Sequence, residues 1–410
     1  MDDGITARDR EARSSTYAAF AIQGLCFASL VTQVPQIQKT HHLSDATLSL
    51  VLLMVPLIAG VGSVLSGFLF ARLGSGPVLR VSQPAVCLSI VFIGLTGDDD
   101  LALYAAVALF GLFVGAVDAA MNAQAVAVER RYGISLITGF YAVWSLAGIL
   151  GGLWAALSNK LDLSLLTGFG IAAALGIAAS LATGHRLYAK HEESAGRPSA
   201  AELKTAGRHV PWRPILIVGT AMAIFYLADA AISSYGAKYL DDELSGSDWV
   251  APLGYVAYQV AMVFSRAVAD FGVRRSGPVP VVRIGAVVGF IGMIGVVAAP
   301  TAWLAIPAFA VAGLGLSVVA PISYTAAGRV DPTGLGVAVA RVNVFNYVGF
   351  VLGAAVVGAI APISSDHGLR LAFIVPTALV LVIFALARGF DPEPVPGART
   401  DTPIAERPTV

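Results

Sequence analysis

The chain of 410 residues is poor in charge, cysteine and histidine, and each shortage excludes something. Only 13% of its residues are Asp, Glu, Lys or Arg, about half the share of a soluble domain, so a water-facing globule is excluded. Its two cysteines, Cys26 and Cys87, both lie inside apolar runs and supply no disulfide framework. The six histidines (His41, His42, His185, His191, His209 and His367) fall in loops or at the edges of apolar runs. No His-Glu-x-x-His or Gly-x-Ser-x-Gly occurs, which speaks against an enzyme of the common hydrolase kinds. A Gly-x-x-x-x-Gly-Lys-Ser/Thr phosphate loop is also missing, which disfavours a primary pump. The net charge of zero argues against a nucleic-acid surface. No cofactor or metal site is expected.

What is present is apolar: 57% of residues are hydrophobic. Runs of about 20 residues, the length that crosses a bilayer core, are predicted at 16–35, 46–70, 78–96, 101–128, 134–157 and 163–184. After a hydrophilic segment at 185–212 come six more, at 213–239, 249–271, 279–299, 302–326, 334–361 and 369–388. The layout is a polar segment 1–15, a six-helix half 16–184, a loop 185–212, a second half 213–388 and a tail 389–410 expected to be disordered. The stretch before the first span has no small-residue cleavage site behind a short apolar core, so no cleaved signal peptide is expected. Lysine and arginine crowd one side of this layout, whereas the other has only Lys39, Lys160, Lys238 and Arg370. The richer side, with both termini and the central loop, is therefore predicted to be cytoplasmic, in a multi-pass protein of the inner membrane.

The two halves echo each other. Ser75-Gly76-Pro77-Val78 returns as Ser276-Gly277-Pro278-Val279, and the same offset aligns Trp144, Gly148 and Gly152 with Phe345, Gly349 and Gly353. Each Gly-Pro turn follows arginines at the end of an apolar run, which reads as a short basic hairpin between two spans. On these residues the chain resembles the major facilitator superfamily, over about Tyr17 to Arg388. Gly67 to Arg80 stands where that family has Gly-x-x-x-Asp-Arg-x-Gly-Arg-Arg. Here Gly67, Arg72 and Gly74 match, while the aspartate position is Ala71. The run Asp118-Ala-Ala-Met-Asn-Ala-Gln, with Glu129 and Tyr141 to Gly152 beyond it, is similar to a little-characterised bacterial branch near the fucose-permease-like sugar porters. The resemblance implies an all-α fold of twelve transmembrane helices in two pseudo-symmetric six-helix bundles, a monomer, and transport by alternating access.

Polar residues inside spans are costly and tend to face a cavity or a partner. Helical spacing puts Asp118 on one stripe with Gly111, Gly115 and Asn122, and Asp229 on one face with Tyr226 and Ser233. The two aspartates are candidate proton-coupling groups, with a packing stripe or a structural hydrogen bond as the plainer alternative. Tyr255, Tyr258, Gln259, Arg266 and Asp270 share a sector of span eight. Arg266 and Asp270, four residues apart, are candidates for a cytoplasmic gate together with Arg72, Arg274 and Arg275. Candidate substrate contacts are Gln23, Asn122, Tyr141, Trp144, Tyr226, Tyr255, Tyr258, Gln259, Asn343, Asn346 and Tyr347. Aromatic faces beside amides suit a neutral, hydroxyl-bearing or aromatic ligand. The expected function is a secondary transporter of a small neutral or amphipathic molecule, driven by a proton gradient. A drug or metabolite exporter and a non-transporting receptor are the alternatives. Glu129 is expected to pair with Arg130 and Arg131 at a loop edge.

Overall fold

A computed structural model describes residues 5–134, 136–194, 200–331, 336–364 and 367–391; the side chains of Ala71, Ala200, Ala267 and Asp270 also fall outside the description. Of the tail 389–410 expected above to be disordered, the first residues are ordered: Gly389 and Phe390 belong to a short 3-10 turn with Phe390 buried, and Asp391 pairs with Arg329 (2.9 Å). From 392 onward it lies outside the described residues.

Among the described residues there are twelve long helices: α1 Ala7–Val31, α2 Asp45–Leu73, α3 Ser75–Leu95, α4 Asp100–Tyr132, α5 Ile137–Lys160, α6 Leu165–Gly184, α7 Trp212–Lys238, α8 Leu253–Ser276, α9 Pro278–Ala298, α10 Ala302–Leu316, α11 Val337–Ile360 and α12 Gly368–Leu386. Helices satisfy their own backbone polar groups, which is what a chain in hydrocarbon requires. Eleven spans are long and apolar enough to cross a membrane, α10 only when Ala302–Leu316 is taken together with its continuation to Arg329. The twelfth, α8, has the length at 24 residues but carries Arg266, Asp270, Arg274 and Arg275 in its second half. Helix α1 starts well before residue 16, because Thr6 and Asp9 form a reciprocal capping box ahead of it. Helix α10 stops at Leu316 and resumes as Val319–Arg329. Pro321 has no N–H to offer the carbonyl four residues back, so the span predicted as one rod is broken there.

The basic hairpins are tighter than the repeated tetrapeptide suggests. Helix α2 passes into α3 through the single residue Gly74 (φ 83°), and α8 passes into α9 through Gly277 (φ 82°). The conformational partner of Gly277 is therefore Gly74, not Gly76 as the tetrapeptide alignment has it. A positive φ is unstrained for glycine alone, so the turn fixes the register, and Gly76 lies inside the first turn of α3.

Two hydrophobic cores result, one drawn chiefly from α1–α6 and one from α7–α12. The connection between them is fastened to both. Arg8 pairs with Glu192 (2.8 Å) and donates to the carbonyls of Arg186 and Leu187. This pairing holds the Glu192 carboxyl below its ordinary range. Buried Glu193 accepts from both the backbone N–H (2.8 Å) and the hydroxyl (2.9 Å) of Ser75, and the Gln124 amide bonds both ways with the Tyr188 backbone. At the other end, Arg341 donates to the carbonyls of Gly207 and Val210 and lies over the Trp212 ring at 4.2 Å. Arg341 is a clasp on the connection. We call the side of the molecule bearing this connection the linker face and the opposite side the far face.

Candidate functional site

The halves meet along two seams, α2 with α11 and α5 with α8. At mid-depth of the first, the Tyr347 hydroxyl donates to Asp118 Oδ2 (2.9 Å) across the junction. Asn122, one turn on from Asp118 in α4, donates to Asp118 Oδ1 and to its carbonyl and accepts from the Tyr141 hydroxyl (2.9 Å). Four of the predicted site residues thus form one chain of hydrogen bonds, Tyr347 to Asp118 to Asn122 to Tyr141.

The second half holds a matching but inverted pair. The Tyr324 hydroxyl of the resumed helix Val319–Arg329 donates to Asn343 Oδ1 of α11 at 2.7 Å. In the first half the asparagine is on the fourth helix and the tyrosine on the fifth; in the second half these positions are exchanged. Tyr324 was not singled out in the sequence, because exchange of residue types hides the repeat from any alignment by identity. Asp229 of α7 is held inside its own half, accepting from the Tyr258 hydroxyl (2.8 Å). The two carboxylates therefore differ: Asp118 is bonded across the junction and Asp229 is not.

Aromatic rings close the site toward the far face. Trp144 lies 5.9 Å from Phe27, Phe27 lies 6.5 Å from Phe350 across the junction, and Phe350 lies 6.5 Å from Tyr226. Asn343 and Asn346 are half-buried on the face of α11 that also carries Tyr347 and Phe350. Tyr255 and Gln259 bond to each other (2.9 Å) and press on α5 in the second seam. A Cβ added to Gly148 would come within 3.2 Å of the Tyr255 hydroxyl, and one added to Gly152 within 2.7 Å of Val256. Those two glycines are what lets α5 and α8 come so close. Tyr258 is fully buried as the support of Asp229. Gln23 is buried in α1, with Oε1 unpartnered among the described residues.

Of the gate candidates, Arg266 crosses the junction, reaching Ser145 Oγ at 3.3 Å. Its proposed partner Asp270 has its side chain outside the described residues. Arg72, Arg274 and Arg275 are exposed on the linker face. The described contacts of Glu129 are not the loop-edge ion pair expected for it. Its Oε2 accepts from the N–H groups of Leu136 (2.7 Å) and Ile137 (3.0 Å), capping a helix start that has no other side-chain cap.

An ionic joint at the far face was not anticipated. Lys39 pairs with Asp241 (2.8 Å) and Asp248 (2.7 Å) of the other half. Buried Lys238 pairs with Asp45 of the other half at 3.0 Å, with Asp242 of its own, and with the amide oxygen of Gln38. Asn159 adds a hydrogen bond to the Asp248 carbonyl (2.8 Å), and Lys160 sits over the Trp249 ring. Burial alone would lower Lys39, but its two aspartates more than offset this and its pKa is raised; Asp248 is held low by its bond from Lys39. Among the described residues, direct cross-half hydrogen bonds and ion pairs lie at the far face or at mid-depth.

Comparison with known proteins agrees with this architecture. The profile of the Major Facilitator Superfamily matches residues 16–335 and 221–410. An uncharacterised MFS-type transporter of Yersinia pestis is 30% identical over 374 residues, covering 91% of this chain and 94% of the relative. Membrane protein MosC of Rhizobium meliloti is 25% identical over 390 residues, covering 92% and 90%. Among solved structures, nucleoside transporter NupG superposes with a TM-score of 0.71 at 15% identity over 95% of this chain and all of that one. An inward-facing bacterial homolog of the human lysosomal transporter Spinster gives 0.73 at 13% over 94% and 98%. FucP in its outward conformation gives 0.63 at 14% over 93% and 99%.

Proposed function

The chain belongs to the Major Facilitator Superfamily and is a multi-pass membrane transporter rather than an enzyme, and from that premise we propose that it moves a small neutral or amphipathic organic molecule by proton-coupled alternating access. The observation that carries the reading is the hydrogen bond from Tyr347 to Asp118, which ties a membrane-embedded carboxylate to the junction between the halves. Loading a proton on Asp118 replaces a charge-assisted bond by a neutral one of roughly half the strength. Protonation and relative movement of the halves are thereby linked. Asp229, bonded within its own half, responds to the substrate without directly joining the halves. The far-face joint describes a state closed on that side, so the substrate enters or leaves this state from the linker face, which the lysine and arginine distribution orients to the cytoplasm. The asparagine and tyrosine groups supply donors and acceptors for hydroxyl or amide groups, and Trp144 and Tyr226 supply stacking faces.

The test is proton flux with purified protein in sealed vesicles, screened against neutral sugars and amphipathic aromatics. Substrate-driven proton movement is expected in wild type and lost in Asp118→Asn, which still binds substrate. An Asp118→Asn protein with full gradient-driven accumulation would remove that residue from the coupling role, and binding without flux in wild type would overturn the coupled-transport mechanism.

A further inference from the structure

Beyond the Phe27 and Phe350 rings, toward the far face, lies a cavity whose chemistry differs sharply from that of the polar site. It measures about 40 Å³ as the space open to the centre of a water-sized sphere, a measure on which one water needs about 10–15 Å³. Its lining comes almost wholly from Phe, Leu, Ile, Val and Pro side chains of α1, α2, the short helix Val34–Thr40 and α4, including Leu48, Val51, Val55 and Phe110. The second half contributes only Phe350 and Ser234. A space so lined stays dry, because water there would find almost none of the two to four polar partners it needs. The cavity is roofed by the ionic joint, with Ile37 in its lining next to Gln38 and Lys39 and Leu48 one turn from Asp45. Its floor is the ring pair that also closes the polar site.

We infer that this cavity is the second subsite of the transported molecule and takes an apolar group about the size of a benzene ring or a branched alkyl chain. The substrate is then a two-part compound. Its polar head meets Asp118, Asn122, Asn343 and Tyr347, and its apolar end passes the Phe27 and Phe350 rings into the cavity. The inference rests on the transport reading above and narrows it: a compound that is polar all round gains nothing from the outer half of the path, while each buried methylene or ring adds affinity in proportion to its area. Phe350 joins the two subsites. It sits one turn beyond Tyr347 on α11, so one face of one helix carries both the polar contact and the apolar floor.

The experiment has two arms. In the first, benzene and indole are added to purified protein and the melting temperature is followed in wild type, Val51→Phe, which fills the cavity, and Val51→Ala, which enlarges it. Dose-dependent stabilisation is expected in wild type and Val51→Ala and is expected to vanish in Val51→Phe. Equal response of all three would overturn the subsite whatever the protein transports. In the second arm, sealed vesicles are given matched compounds with the same polar head and either a methyl or a phenyl substituent. The phenyl compound is expected to move with about tenfold or more higher apparent affinity, and that preference is expected to collapse in Val51→Phe while the methyl compound changes less than twofold. Flux of both compounds with no preference would leave the transport reading standing and sink this one. Ring binding in the first arm with no flux of any compound in the second would keep the cavity as a binding site and overturn its place on a transport path. Should Val51→Phe fail to fold, the opposite change in Val51→Ala, a larger ring being accepted, decides the same question.

Discussion

The far face and the linker face use charge in opposite ways. At the far face, lysines of each half reach aspartates of the other: Lys39 meets Asp241 and Asp248, and Lys238 meets Asp45. At the linker face the described ionic contacts stay on one side of the junction, as with Arg8 and Glu192 or Arg131 and Asp9. The first kind of contact has to break for the halves to change their angle, and the second kind rides along. Charge that joins the halves sets which state is populated, whereas charge within a half, or between a half and the connection, sets only how rigid that body is.

The largest test of that contrast is Lys238→Met. Lys238 is buried, but Asp45 and Asp242 remain partly in water, so the cost to the closed far face is placed at roughly 2–3 kcal/mol, at or below the range for breaking a fully buried pair. That is a shift of roughly 30- to 150-fold in the state ratio. It is checked by the labelling rate of Ser234→Cys, just beneath the joint, with a reagent confined to the far side and with Cys26 and Cys87 replaced by serine. An unchanged rate would break the comparison. Next in size, Glu193→Ala leaves the Ser75 N–H and hydroxyl without their acceptor, at a cost of about 1–3 kcal/mol. It lowers thermal stability by a few degrees while the Ser234→Cys labelling rate stays as in wild type. Smaller again is Lys39→Ala: Lys39 and Asp248 are half exposed, but Asp241 is nearly buried and loses its partner. About 1–2 kcal/mol is expected, and the share that comes from Asp248 fades as salt is raised.

The smallest effect is with acid. Asp248 is held below its ordinary value by Lys39, so its contribution to the closed joint is complete above the unperturbed value of about 4 and is lost as pH falls through its lowered one. Labelling at Ser234→Cys is therefore expected to be flat between about pH 5 and 8 and to rise only below about 4. Asp248→Asn should reduce that rise, the remainder coming from Asp45 and Asp241, which hold the same joint and are also protonated in acid.

Much of this architecture was legible in the sequence, because hydrocarbon imposes one-dimensional rules. Twelve apolar runs, the central connection and the side richer in basic residues follow from length and composition alone. The details that escaped have local causes: the capping box that starts α1 early, Pro321 breaking a helix, and Gly74 taking the turn that the Ser-Gly-Pro repeat assigns to Gly76. Asp118, Asn122, Tyr141 and Tyr347 were individually readable as polar residues on helical faces. Their connection was not, since Asp118 and Tyr347 stand 229 residues apart and periodicity orders faces within a helix, not helices around a site. The far-face joint was hidden for the opposite reason. Lys39, Lys238 and their aspartates lie in or beside loops, where charge is ordinary, and only the packing of the halves shows that Lys238 is buried.

The fastening of the connection at both ends also sets a limit on amplitude. Ser194 closes the segment strapped to the first half, and Ala200 opens the helix that Arg341 clasps to the second. Six peptide steps separate them, and a chain spans at most about 3.3–3.6 Å per residue. While both fastenings hold, those two points stay within about 20 Å of each other. The connection is thus a leash of limited length between the two halves, and its reach bounds how far these two fastened points can separate on the linker face.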